Sequence, residues 1–266
     1  MENRIESWND LINQFNSIIQ RKEFIYDEIY CWLNGIKNIP IYSYRIIKKH
    51  TFFRSRINKD SKYFYDFKDL SYPDKEMVRI FGRANKPGQN LLYLSDTAIT
   101  SFSEILPTER KKDEVIELTT TKWSIEQDLT VRIIPDFENE KMKELISSIS
   151  ESNVKNQLDF LKILNFYFRA VPENGGDNFA YEITSAFCNA LLAESKRENT
   201  LNDGTLYTSV QLSKGFNLAL KTDIVKSGKI KIIEVEKHYL RNLGNYVAIE
   251  TERPKKVNFK TGEIEW

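Results

Sequence analysis

The 266-residue chain is poor in the residues from which metal centres and disulfide frameworks are built. Its two cysteines, Cys31 and Cys188, are too few for several disulfides or for a four-thiolate zinc site. Only two histidines occur, His50 and His238, so a site of several imidazoles is excluded and a Ser-His-Asp triad would depend on one of them. We therefore expect no metal cofactor, and we expect a reducing, cytoplasmic location.

Glycine-rich phosphate motifs, long apolar runs and an excess of charge are also missing. The sequence contains no GxxxxGK[ST], GxGxxG or HExxH motif. Lys and Arg (39) almost cancel Asp and Glu (38), and the net charge of +1 gives no general attraction to nucleic acid or to anionic membranes. No stretch approaches the ~18 apolar residues of a membrane span, and the N-terminus lacks the apolar core of a signal peptide. The expected partners therefore include neither nucleic acid nor membrane.

The first fifty residues carry the period of amphipathic helices. Leu11, Phe15 and Ile18 recur at three- and four-residue steps and predict a helix that begins at Trp8. A second pattern of the same kind predicts a helix that ends near Gly35. We therefore predict a helical N-terminal section.

Beyond this section the predicted elements are mixed. Branched and aromatic runs predict strands at 51–57, 90–95, 115–123, 129–134, 205–210, 216–220, 229–235 and 245–250. Helical periods occur at 97–105, 141–149, 154–168 and 181–194. The strands do not alternate regularly with the helices, which indicates the α+β class. We predict a helical extension over residues 1–50, one compact domain over 51–251, and a peripheral hairpin or frayed tail over 252–266.

The most informative stretch runs from Gly82 to Asp96 and continues into a short helix. It places Arg83 in a turn, Tyr93 on the next strand and Glu104 on the next helix, so these side chains can converge at one end of that strand. Composition alone would make them an ordinary turn arginine, a strand aromatic and an exposed acid. The order of further motifs along the chain favours the functional interpretation.

This stretch resembles the RES domain, a family named for its Arg, Glu and Ser and related to ADP-ribosyltransferases. The matching elements, in order, are Phe53-Arg54-Ser55-Arg56, Gly82-Arg83-Ala84-Asn85, Leu92-Tyr93-Leu94-Ser95, a Glu eleven positions after that Tyr, Asp203-Gly204-Thr205-Leu206-Tyr207-Thr208-Ser209-Val210 and Asn217-Leu218-Ala219-Leu220. The resemblance covers residues 53–236. It departs from the family at Ala84, where an aromatic is usual, and at Thr208, where a proline is usual.

The resemblance implies an ADP-ribosyltransferase-like core of two small, mostly antiparallel sheets with flanking helices. It implies that NAD is the substrate and that the nicotinamide–ribose bond is cleaved, with water or phosphate as acceptor. Many relatives are toxins of bacterial toxin–antitoxin pairs, so a separate antitoxin protein is an implied partner. The site residues carried over are Arg83, Tyr93, Glu104 and Ser209 for catalysis, and Arg54, Arg56 and Asn85 for NAD binding.

Each of these residue types suits its implied role. Nicotinamide leaves as a neutral ring, so a single carboxylate that stabilises the cationic ribose is sufficient, and Glu104 is the candidate. Guanidinium groups bind pyrophosphate oxygens with paired donors; Arg54 and Arg83 are the candidates and Arg56 is the reserve. Tyr93 can stack on a ring, while Ser209 can donate a hydrogen bond.

Other interpretations stay open at this point. Arg56 is equally well a surface ion-pair partner, and Asn85 is equally a turn residue. ADP-ribose can be transferred to a protein instead of to water or phosphate. The departures at Ala84 and Thr208 also keep open a non-catalytic NAD-binding or interaction module. In that case the N-terminal helices are its working surface, an internal partner that covers the site, or an accessory packing layer.

Overall fold

The computed structural model describes residues 8–21, 23, 25–36, 42–106, 113–147, 158–170, 179–197, 202–212, 214–242 and 246–266. Over these residues the chain forms two compact units, each assembled from three separate stretches of sequence. The first unit takes residues 1–44, 75–89 and 130–210, and the second takes 45–74, 90–129 and 211–266. Such discontinuous units leave no change in composition at their borders, and the boundaries predicted at residues 50 and 251 stay predictions.

The secondary structure is mixed, which confirms the α+β class. The helices are α1 (Trp8–Arg21), α2 (Ile25–Gly35), α3 (Phe67–Leu70), α4 (Ala98–Ile105), α5 (Glu140–Ser147), α6 (Leu158–Arg169), α7 (Phe179–Arg197) and α8 (Thr222–Lys226). The strands are β1 (Tyr42–Ile46), β2 (Thr51–Ile57), β3 (Leu91–Ser95), β4 (Val115–Ile125), β5 (Leu129–Ile133), β6 (Gly204–Thr208), β7 (Phe216–Lys221), β8 (Ile230–Asn242), β9 (Tyr246–Glu252), β10 (Lys256–Val257) and β11 (Ile264–Glu265).

The first unit is a layer of helices with a short parallel strand pair. The predicted stripe of α1 is buried, with Phe15 fully enclosed. α2 and α6 pack against α7, where Phe187 contacts Phe160 and Phe168 with ring centroids 6.5 and 6.4 Å away. Phe168 in turn lies 5.9 Å from the ring of Tyr207 on β6, which pairs in parallel with β5. The aromatic contacts therefore fix the end of α6 to this strand pair.

The second unit is built on an antiparallel sheet whose strand order is β7-β3-β2-β4-β8-β9. The long β4 pairs with β2 on one side and with β8 on the other. α4 packs across β2 and β3. Thr97 caps α4 by accepting a hydrogen bond from the Thr100 amide at 3.0 Å, and Ser101 Oγ lies 2.9 Å from Ser55 Oγ on β2. These contacts fix the start and the middle of α4, the helix that carries Glu104 in its last turn, next to β2.

Several predicted elements are corrected or only partly described. Residues 42–46 were predicted to belong to a helical section but form the strand β1. Tyr42 and Ile46 at its ends are buried, and the three residues between them are exposed. β8 continues seven residues beyond the predicted end at Val235, to Asn242. The tail forms a two-stranded hairpin of β10 and β11, one of the two predicted outcomes. Parts of the predicted helices at 141–149 and 154–168, namely 148–149 and 154–157, lie outside the described residues.

Candidate functional site

A cavity of about 650 Å³ lies in the second unit beside β2. Within the described strands β3 pairs with β2 at Phe53 and Ser95 only, so the later residues of β2 border an open space. Four cationic side chains, one carboxylate and two aromatic rings line the cavity: Arg54, Arg56, Lys59, Lys62, Asp69, Tyr63 and Phe64. The excess of positive charge favours a ligand with more than one negative charge.

Arg54 has fewer hydrogen-bond partners than its burial requires. Its Nη1 donates to the carbonyl oxygen of Tyr93 at 2.9 Å, while its Nε is buried and has no partner among the described residues. Burial, and next the charge of Arg56, lower the pKa of Arg54 to about 9; the Tyr93 phenol acts in the opposite direction. The guanidinium is still charged at neutral pH, so an anion in the cavity would relieve an unfavourable charge.

Arg56 is the second guanidinium that lines the cavity. It lies two residues further along β2, and its Nη2 donates to the carbonyl oxygen of Ser71 at 3.1 Å. Burial lowers the pKa of Arg56, against the attraction of the exposed carboxylate of Asp69. In the described part of the chain neither arginine forms an ion pair within 4.0 Å. The alternative that Arg56 is a surface ion-pair partner therefore finds no support in this part of the chain.

Glu104 lies at the last turn of α4 and is exposed, but its carboxylate is held by a hydrogen-bond chain. Asn217 Nδ2 donates to Glu104 Oε1 at 2.6 Å, and Asn217 Oδ1 accepts from Ser95 Oγ at 2.8 Å. Both Asn217 and Ser95 are buried. The residues that line the cavity include Ile105, the next residue along the chain, but not Glu104 or Tyr93. The structure thus orients the carboxylate of Glu104 with a buried amide whose role the sequence did not predict.

Tyr63 lines the cavity, and the buried Lys237 holds its ring in place. The sequence did not predict a role for either residue. The ammonium of Lys237 lies 3.8 Å from the centroid of the Tyr63 ring and 2.7 Å from Glu117 Oε2, and its side chain is 2% exposed. Burial lowers the pKa of Lys237, but hydrogen bonds to Glu117 and Tyr239 outweigh this and raise it above its usual value. The Tyr63 hydroxyl donates to Glu252 Oε2 at 3.0 Å. A fixed aromatic ring therefore stands beside the arginines.

Arg83 lies in the first unit, where its guanidinium contacts the end of α6. Nη1 donates to the carbonyl of Phe168, and Nη2 donates to the carbonyl of Ala170 at 3.2 Å. The guanidinium also stacks on Tyr181, with Cζ 5.0 Å from the ring centroid. These are the contacts of a residue that satisfies the last carbonyls of a helix. Arg83 therefore has an evident structural role, and its predicted role in catalysis stays a prediction.

Two further predicted residues, Asn85 and Ser209, also lie in the first unit. Asn85 is buried; its carbonyl oxygen accepts from the Gly82 amide at 2.9 Å, and its Nδ2 donates to the carbonyl of Lys86 at 3.2 Å, as expected for a residue that braces a turn. Ser209 is buried at the end of β6. The preceding Thr208, which departs from the family pattern, donates from Oγ1 to Asp136 Oδ2 at 2.8 Å. The threonine thus supplies a hydrogen bond that a proline could not.

The seven predicted site residues are therefore distributed over the two units. The second unit contains Arg54, Arg56, Tyr93 and Glu104, and the first contains Arg83, Asn85 and Ser209.

Over the described ranges, no group of three or more His, Cys, Asp or Glu side chains is arranged to hold a metal ion. In the same residues, no helix is both long enough and apolar enough to cross a membrane. No protein-family model matches the chain, and no curated protein is significantly similar to it.

Proposed function

We propose that this chain degrades NAD by cleaving the nicotinamide–ribose bond, and that it is a RES-like member of the ADP-ribosyltransferase-like enzymes. The observation that carries the proposal is the cavity at Arg54 and Arg56, whose guanidiniums form no ion pair within 4.0 Å with a described residue. A pyrophosphate has two negative charges and accepts the paired hydrogen bonds that guanidinium groups offer. The motif resemblance supplies the rest of the proposal, including the ADP-ribosyltransferase-like fold.

The proposed chemistry requires a negatively charged carboxylate and not a general acid that donates a proton. As nicotinamide departs, positive charge develops on the ribose, and a carboxylate at the ribose stabilises this state more than the ground state. Glu104 has this role, and the amide of Asn217 fixes the orientation of its carboxylate. Water or phosphate then attacks the ribose carbon. No imidazole is needed, which agrees with the scarcity of histidine.

The ring-binding part of the proposal rests on aromatic side chains. Tyr93 stacks on nicotinamide, as the resemblance implies, and its main chain holds Arg54 through the 2.9 Å hydrogen bond. Tyr63, with its ring fixed by Lys237, offers a second face to a base or sugar. The roles that the resemblance implies for Arg83 and Ser209 in catalysis and for Asn85 in NAD binding stay predictions. In a toxin–antitoxin pair, the antitoxin would be a separate protein.

Product identification tests the proposed function. Purified protein is incubated with NAD, with and without phosphate, and the products are separated by chromatography. We expect nicotinamide together with ADP-ribose, or with ADP-ribose 1″-phosphate when phosphate is the acceptor. Glu104→Gln should lower kcat/KM at least about 100-fold. The control is Glu250→Gln, because Glu250 is an exposed carboxylate on β9 of the same unit.

Two outcomes would replace this proposal with one of its alternatives. Label from NAD that stays on a protein band would identify a mono-ADP-ribosyltransferase. Tight NAD binding without nicotinamide release would identify a non-catalytic module, an alternative favoured by the structural contacts of Arg83. Unchanged activity in Glu104→Gln would rule out the proposal that the Glu104 carboxylate stabilises the ribose cation.

A further inference from the structure

A second cavity, of about 710 Å³, lies in the second unit and shares no lining residue with the cavity at Arg54 and Arg56. Its floor comes from the sheet: Trp123 on β4 and Ile230 and Ile232 on β8 line it, and each is at most 6% exposed. The Trp123 indole N–H donates to Thr121 Oγ1 at 2.9 Å, so the ring is fixed. The floor is therefore apolar, and a hydrogen bond holds its indole ring in place.

Aromatic side chains form the mouth of this cavity. Phe67 on α3 and Phe259 in the C-terminal hairpin line it, with ring centroids 5.8 Å apart, and Tyr72 adds a third ring. Phe259 is 53% exposed, although large apolar side chains are usually covered. Several rings around a pocket of this size favour a planar ligand that stacks on them or inserts between them.

The charges at the mouth favour an anion. Three lysines and one carboxylate line the cavity: Lys68, Lys231, Lys260 and Asp74. Lys231 is paired with Glu126 at 2.9 Å, and Lys68 is 3.9 Å from Asp74. Lys260 forms no ion pair with any described residue. Lysine binds phosphate as a flexible point charge, which suits a group held at an open mouth.

We propose that this cavity binds a nucleoside monophosphate, with the base against the aromatic and apolar floor and the phosphate at Lys68 and Lys260. The walls match the two halves of such a ligand, and a volume of about 710 Å³ is within the range of ordinary small-molecule sites. The proposal does not depend on the proposed function, because the two cavities are lined by different residues.

The test is titration of the whole chain with AMP, followed by calorimetry and by tryptophan fluorescence. We expect saturable binding and a fluorescence change that is lost in Trp123→Phe. Lys68→Gln/Lys260→Gln should weaken AMP binding about tenfold or more. The control Lys256→Gln removes an exposed lysine on β10, outside the cavity, and should leave AMP binding unchanged.

Three further comparisons make the test decisive. Adenosine and inorganic phosphate should each bind at least about tenfold more weakly than AMP, since each supplies only half of the ligand. AMP binding should persist in Arg54→Gln/Arg56→Gln. The proposal is overturned if AMP does not bind, if the lysine pair has no effect on AMP binding, if adenosine binds equally well, or if binding is lost with the arginines.

Discussion

Replacing Arg54 by methionine should abolish pyrophosphate binding in the cavity at Arg54 and Arg56, and it should leave the fold as stable as before or more stable. The reason is that Arg54 is a partly buried cation whose Nε is buried without a partner, and it forms no ion pair with a described residue. Residues that are kept for a ligand often destabilise the protein that carries them, whereas residues kept for structure stabilise it. The sign of the stability change therefore separates the two roles.

The size of the expected change in stability follows from the pKa of Arg54. The fall in the pKa of Arg54 from the ordinary value of arginine to about 9 corresponds to a penalty on the charged form on the order of 5 kcal/mol. This is an upper limit, because part of the guanidinium borders the open cavity. Methionine removes the penalty but also removes the charged hydrogen bond to the Tyr93 carbonyl, worth about 1.5–3 kcal/mol. The expected net change is a stabilisation of about 1–3 kcal/mol.

Thermal unfolding with and without inorganic pyrophosphate measures both effects. In wild-type protein, pyrophosphate should raise Tm, and at one hundred times Kd it should add about 2.7 kcal/mol of stability. In Arg54→Met, Tm without ligand should be equal or higher and the ligand effect should disappear. Arg241→Met is the matched control, since Arg241 is an exposed arginine on β8. A loss of more than about 2 kcal/mol in Arg54→Met would show that Arg54 is a structural residue and would refute the reasoning.

Three other substitutions test the contacts around the site. Arg83→Met should destabilise the protein by about 2–4 kcal/mol in denaturant unfolding, because the carbonyls of Phe168 and Ala170 lose their donor; a neutral effect would show that these hydrogen bonds do not stabilise the fold. Glu117→Gln should lower the free energy of unfolding by about 3 kcal/mol at pH 7, because Lys237 loses the carboxylate with which it forms an ion pair. Hydrogen bonds from Lys237 and Ser61 lower the pKa of Glu117, so its contribution is complete above pH 4.5 and is lost as the pH falls through its folded-state pKa. The stability difference between wild type and Glu117→Gln should therefore narrow below pH 4.5 in unfolding curves, and a constant difference would contradict this. Thr208→Val should cost about 1–3 kcal/mol in the same assay, because Asp136 loses a buried donor, and an unchanged midpoint would contradict that role.

Local periodicity was enough to predict most elements, because burial of one face is a local property. The stripe of Leu11, Phe15 and Ile18 predicts α1, and the branched run at 51–57 predicts β2. β8 was predicted too short, since after Val235 its buried side chains include Lys237 and His238. Their burial depends on partners far away in the sequence, such as Glu117 for Lys237, and no local pattern contains that information.

The candidate site was predicted only in part for the same reason. The motifs indicated Arg54, Arg56 and Glu104, but not that Lys59, Lys62 and Tyr63 share the cavity with the arginines. That proximity follows from the path of the chain after β2, which residue spacing does not specify. Nor can a motif distinguish an arginine whose buried Nε has no described partner from one that satisfies helix carbonyls. Arg54 and Arg83 belong to the same family pattern, yet only the contacts reveal the difference between them.

The most direct test of the central claim is the initial rate of nicotinamide release from NAD by wild-type protein and by Arg54→Met/Arg56→Met. We predict release that saturates with NAD in the wild type and falls at least about 100-fold in kcat/KM in the double variant, with both proteins folded. Wild-type protein that releases no nicotinamide, or a double variant as active as wild type, would contradict the account.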